Sequence, residues 1–82
     1  MRYVIGRVRL KPGMRDVFSA LAAPYIATSR AEAGCVYYDQ AAVHGSPDDT
    51  IIIECWQTPE AHAAHVAAPH FRAFGPLFQK HV

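Results

Sequence analysis

The chain has 82 residues, of which 51% are apolar and 18% charged, and its formal net charge is +1. That length makes one domain, residues 1–82, and such a domain buries only about 60–65% of the surface its unfolded chain exposes, so this much apolar surface implies a self-association face. The near-neutral charge, with no basic cluster beyond the alternating Arg7, Arg9 and Lys11, excludes a nucleic-acid footprint.

No apolar run approaches the roughly 20 residues that span a bilayer, and Arg2 and Arg7 interrupt what would otherwise be the apolar core of a leader. The expectation is a cytoplasmic protein with no membrane partner. Cys35 and Cys55 lack metal-type spacing and are read as buried free thiols in preference to a disulfide.

Arg2 to Leu10 alternates as a strand, with Val4, Gly6, Val8 and Leu10 on one side and Tyr3, Ile5, Arg7 and Arg9 on the other. Lys11-Pro12-Gly13 closes it, because proline cannot donate to a ladder and glycine accommodates the turn. Met14, Val17, Phe18, Leu21, Tyr25 and Ile26 then recur at intervals of three and four, which predicts a helix to about Ala31 with a kink ahead of Pro24. Gly34 stands where a helix end commonly needs a left-handed residue.

A second strand is predicted over Cys35–Val43, with Tyr37 and Tyr38 on opposite faces, then a turn-rich loop from His44 to Asp49. The third strand, Thr50–Trp56, is apolar on both faces at its start and reads as the central one. Thr58 as N-cap, Pro59 at the first helical position and Glu60 in the first turn predict a helix to about Ala68, where Pro69 breaks it. A last short helix carries Phe71 and Phe74 and, beyond an interruption at Gly75-Pro76, Leu77 and Phe78. The order strand, helix, strand, strand, helix, helix is a ferredoxin-like α+β plan, an antiparallel sheet with helices on one face, short of its last strand.

The chemistry concentrates between Ile51 and Phe74, where one strand-to-helix unit carries Glu54, Trp56, His62, His65 and His70. The ordered set of Lys11-Pro12-Gly13, Glu32, Gly34, Cys35, Tyr38, Glu54-x-Trp56, His65 and Pro69-His70-Phe71 with Phe74 resembles the antibiotic biosynthesis monooxygenase superfamily, specifically its small quinol monooxygenases. The resemblance covers nearly the whole chain. It implies a homodimeric α/β barrel in which two sheets pack face to face and each subunit encloses an apolar cavity. It also implies oxygenation without a cofactor, in which an electron-rich quinol or polyphenol is deprotonated in a dry pocket and itself reduces O₂. The superfamily includes isomerases and haem-degrading enzymes too, so the scaffold does not fix the reaction. The haem-degrading branch uses an asparagine, a tryptophan and a histidine where this chain has Gly6, His65 and Gly75, which disfavours that reaction. The family domain ends in one more strand, so the chain is expected to be a shortened form.

Within that resemblance His65 and His70 are the candidate bases, and Trp56, Tyr38, Phe71 and Phe74 the candidate walls of a pocket for a small aromatic substrate. Each has a plainer alternative: the histidines bracing the helix break at Pro69, Trp56 filling core or dimer interface, the phenylalanines packing as core. Glu54, on a covered strand, must be paired, and a salt bridge with an arginine such as Arg7 is preferred. His62 and His65 are spaced for metal binding, but with no carboxylate at a convincing offset no metal is expected.

Overall fold

A computed structural model describes all residues from Met1 to Val82. The elements are β1 (Arg2–Arg9), α1 (Arg15–Arg30), β2 (Cys35–Ala42), β3 (Asp49–Trp56), α2 (Pro59–Ala67) and α3 (Pro69–His81). The three strands form one open antiparallel sheet in the order β1-β3-β2. This is the ferredoxin-like α+β arrangement, with β3 central and one edge of β1 unpaired by any strand.

Register decides which side chains meet. Val4 lies opposite Glu54, Gly6 opposite Ile52 and Val8 opposite Thr50, so the even-numbered positions of both strands look toward the helices. A shift in pairing between Cys35 and Tyr37 then aligns Tyr38 with Glu54. Tyr38 is buried, whereas Tyr37 stays exposed on the other side. That other side carries Tyr3, at 63% exposure, and Ile5, at 73%, and no element of the chain covers it.

The core lies between sheet and helices. Leu10, Phe18 and Ala22 are buried there, with Val8, Ile26, Phe74 and Phe78 packed against them. Phe18 meets Phe74 and Phe78 edge to face, each at 6.0 Å between ring centroids, a favoured aromatic geometry.

Two local expectations change on the structure. The segment around Gly75-Pro76 does not interrupt the last helix: α3 is continuous over 13 residues with Pro76 inside it. A proline there costs about 3 kcal/mol in a free helix, and burying Phe74 and Phe78 against Phe18 offsets it. As the sequence predicts, α1 continues past Pro24, as one helix of 16 residues. Glu54 does not pair with Arg7, because the two point to opposite faces of the sheet; Arg7 and Arg9 both bond the carboxylate of Asp49 on the outer side, at 2.7 and 2.6 Å. No helix is long and apolar enough to cross a membrane.

Candidate active site

The site begins with how α2 is seated. Thr58 caps the helix, its hydroxyl accepting from the Ala61 N–H at 3.1 Å, and the Gln57 N–H donates to the Gly34 carbonyl at 2.7 Å. Gly34 has φ +81°, and a Cβ added there would lie 2.6 Å from the Cβ of Ala61. Only glycine permits both that backbone and that approach. The alanine-rich α2 thereby rests directly on the connection from α1 to β2 and brings His65 to Glu32.

His65 is almost fully buried. Its Nδ1 lies 2.6 Å from Glu32 Oε2 and its Nε2 lies 3.1 Å from the Tyr25 hydroxyl. A carboxylate only accepts, so Nδ1 carries the proton and donates to Glu32, which leaves Nε2 of the neutral ring as an acceptor. With the ring neutral, Tyr25 donates to Nε2. The Tyr38 hydroxyl donates in turn to Tyr25 at 3.2 Å. The result is a directional chain, Tyr38 to Tyr25 to His65 to Glu32, in which every donor has one acceptor.

The rings are held as well as bonded. Trp56 lies against His65 at 4.7 Å between centroids, and Phe74 stacks on Tyr25 at 4.2 Å. Trp56 donates its indole N–H to Glu54 Oε1 at 3.0 Å, and the same oxygen is 3.9 Å from His65 Nε2. His70 occupies the start of α3, with Nε2 3.3 Å from the Ser29 hydroxyl and 3.5 Å from Glu32 Oε1. One carboxylate thus serves both histidines.

Beside this chain lies a cavity of about 290 Å³. Its walls are mainly apolar, among them Val4, Val8, Ile52, Phe71, Phe74 and Phe78, and Gly6 and Gly75 leave room where side chains would otherwise project. The polar residues Tyr25, Tyr38, Glu54 and Gln79 also line it. Burial pushes the Tyr38 phenol far up, reinforced by its bond to Tyr25 and by the charges of Glu54 and Glu32. Burial also raises the Tyr25 phenol. Neither tyrosine will hold a phenolate at neutral pH, but each can pass a proton along a chain that ends on imidazole.

The structure distributes the sequence-derived candidates over two layers. Tyr38, Phe71 and Phe74 line the cavity. His65, His70 and Trp56 stand behind it, and His65 reaches the cavity through Tyr25. In the sequence Tyr25 reads as one more member of an apolar stripe and Glu32 as part of a helix end. The one available signal was the hydroxyl of Tyr25, because a tyrosine on a buried stripe requires a partner. Sequence spacing paired His65 with His62 and offered no carboxylate; the fold pairs it with His70 and supplies Glu32.

A model of the family described as antibiotic biosynthesis monooxygenase matches residues 1–76. A solved structure of an antibiotic biosynthesis monooxygenase superposes with TM-score 0.88 at 30% identity, covering 99% of this chain and 85% of that one. A Bacteroides thetaiotaomicron protein of unknown function, described as a possible oxidoreductase, gives TM-score 0.88 at 29% identity over 96% of this chain and 84% of its own. A conserved protein of Methanosarcina mazei gives TM-score 0.92 at 22% identity, over 98% and 79% of the two chains, a likeness of fold alone. An uncharacterised protein of Synechocystis is 30% identical over 71 residues, or 87% of this chain, and the chain spans 48% of that relative.

Proposed function

The chain belongs to the antibiotic biosynthesis monooxygenase family, and from that premise we propose that it oxidises a small quinol-like or polyphenolic aromatic with O₂ and no cofactor, as a cytoplasmic homodimer. The observation that carries the reading is the junction of an apolar cavity with a hydrogen-bonded chain that leads from Tyr38 to a buried, carboxylate-backed imidazole. An aromatic substrate bound against Phe71 and Phe74 donates its hydroxyl proton to the Tyr38 oxygen. Each hydrogen in the chain then moves one place, and His65 becomes an imidazolium paired with Glu32. The resulting aromatic anion is the electron donor to O₂. For an anthrone-type substrate one oxygen atom replaces two hydrogens as a carbonyl and the other leaves as water.

A water-poor pocket favours this chemistry, since an anion stripped of its hydration shell is a stronger reductant. His70, which shares Glu32 with His65, steadies the carboxylate in that role. The exposed outer face with Tyr3, Ile5 and Tyr37 supports pairing of two sheets in a dimer.

The experiment is turnover of anthrone-type and naphthohydroquinone substrates under ¹⁸O₂, with metal-chelated protein. One labelled atom per product supports the reading. Product formed equally well without oxygen indicates an isomerase on this scaffold, and tight binding without product indicates a binding protein.

A further inference from the structure

We propose that Glu32, His65 and His70 form a binding site for a divalent transition-metal ion of the zinc class, distinct from the cavity, and that an ion bound there reverses the hydrogen-bond polarity of the chain from His65 to Tyr38. One carboxylate and two imidazoles are a donor set suited to such ions, with at least one coordination position left open. The donor atoms, one from each residue, all lie within 4.8 Å of one another. Around an ion with bonds of about 2.0–2.1 Å, tetrahedral ligand atoms stand about 3.3 Å apart. The contact from His65 Nδ1 to Glu32 Oε2 at 2.6 Å must open slightly to reach that spacing, and His70 Nε2 already stands 3.5 Å from the other oxygen of the same carboxylate, Oε1.

The surroundings are those of a built site. His65 is buried and held by Trp56, while the Glu32 and His70 side chains are 20% and 22% exposed, which gives an ion a way in. A metal-bound histidine usually donates its other N–H to a carboxylate or similar acceptor, and Glu54 Oε1 stands 3.9 Å from His65 Nε2. None of the three ligands lines the cavity. An ion would act on the cavity through His65 and Tyr25 and would not touch the ligand there.

Metal at Nδ1 displaces the proton that Nδ1 gives to Glu32, and the neutral ring carries it on Nε2. Nε2–H then becomes a donor toward Glu54 and Tyr25. Tyr25 can no longer pass its proton to His65, and its hydroxyl hydrogen must turn elsewhere. Metal binding and proton acceptance at Nε2 therefore exclude each other. The metal site stands on this geometry alone, whereas any effect on turnover rests on the reading proposed above.

The test titrates Zn²⁺ and Co²⁺ into chelator-treated full-length protein, following heat, the Co²⁺ absorption bands and the ¹⁵N resonances of His65. The expected result is one ion per chain with a dissociation constant below about 10 μM and protonation of His65 Nε2 on Zn²⁺ addition. Glu32→Gln and His70→Ala should each weaken binding at least about 10-fold, and His62→Ala should leave it unchanged. The metal-free variants are checked for wild-type circular dichroism. Absence of one-to-one uptake in the wild type, or equal weakening by His62→Ala, overturns the site. Binding with His65 still protonated at Nδ1 overturns the reversal. Because none of these signals requires turnover, an inactive protein that binds metal separates failure of the oxygenase reading from failure of the site.

Discussion

Glu32 and His65 are 33 residues apart in the chain, yet their side chains meet at 2.6 Å in the shortest polar contact of the site. That contact fixes which imidazole nitrogen holds the proton and so gives the hydroxyls of Tyr25 and Tyr38 their direction. Glu32 lies outside the cavity. Glu32→Gln should therefore lower kcat at least about 10-fold with KM nearly unchanged, because the imidazolium loses its counter-charge while the substrate walls stay intact. Steady-state oxygen uptake measures both constants, and a rise in KM with kcat preserved would place Glu32 in substrate binding instead.

Gly6 supplies the complementary test on the cavity. A Cβ built on it meets nothing within 4 Å, and the residue lines the cavity from β1. Gly6→Ala should raise stability by about 0.5–1 kcal/mol, since glycine loses more backbone freedom than alanine in a strand. Gly6→Leu should keep the fold but weaken binding of a naphthol probe at least about 10-fold by filling the space. Unfolding curves and fluorescence titration check the pair.

Asp49 ties the outer face of β3 to β1. Hydrogen bonds from Arg9 and Arg7 bring its carboxyl from 3.8 down to about 2. A pKa depressed by folding contributes stability that is fully present above the ordinary carboxylate range and is lost as pH falls through the folded value. Wild type should thus exceed Asp49→Asn in stability above about pH 4, and the two should converge as pH approaches 2. Chemical denaturation at several pH values measures the difference, and a gap that stays constant down to pH 2 contradicts the pairing.

Phe18 is the hub of the helix-to-sheet core, 1% exposed and in contact with both Phe74 and Phe78. Phe18→Ala should cost about 3–5 kcal/mol. For a domain of this size that is a large part of total stability, so thermal unfolding should shift far downward and lose cooperativity.

Much of the fold is legible along the chain because its determinants are local. The alternation of β1, the Thr58-Pro59-Glu60 start of α2 and the left-handed Gly34 each depend on a few adjacent residues, and each holds. The continuity of α3 across Gly75-Pro76 escapes such reading, since a breaker in isolation is overridden here by the packing of Phe74 and Phe78 on Phe18 of the distant α1. The candidate site divides in the same way. Tyr38, Phe71, Phe74, His65 and Glu32 lie in motif-bearing segments, whereas Tyr25 does not, and the meeting of Glu32 with His65 arises only when α2 docks against Gly34. Strand periodicity groups Glu54 with Trp56 on one face of β3, but only the register between β3 and β1 shows that Arg7 lies on the other side of the sheet and that the Trp56 indole is the partner.

The most direct measurement is oxygen consumption with a saturating anthrone-type substrate by wild type and by Tyr25→Phe, which keeps the ring stacked on Phe74 and removes only the hydroxyl between Tyr38 and His65. The expected result is a fall in kcat of about 100-fold or more with substrate binding and thermal stability close to wild type. A Tyr25→Phe protein that turns over within about twofold of wild type would contradict a proton path through Tyr25 to His65.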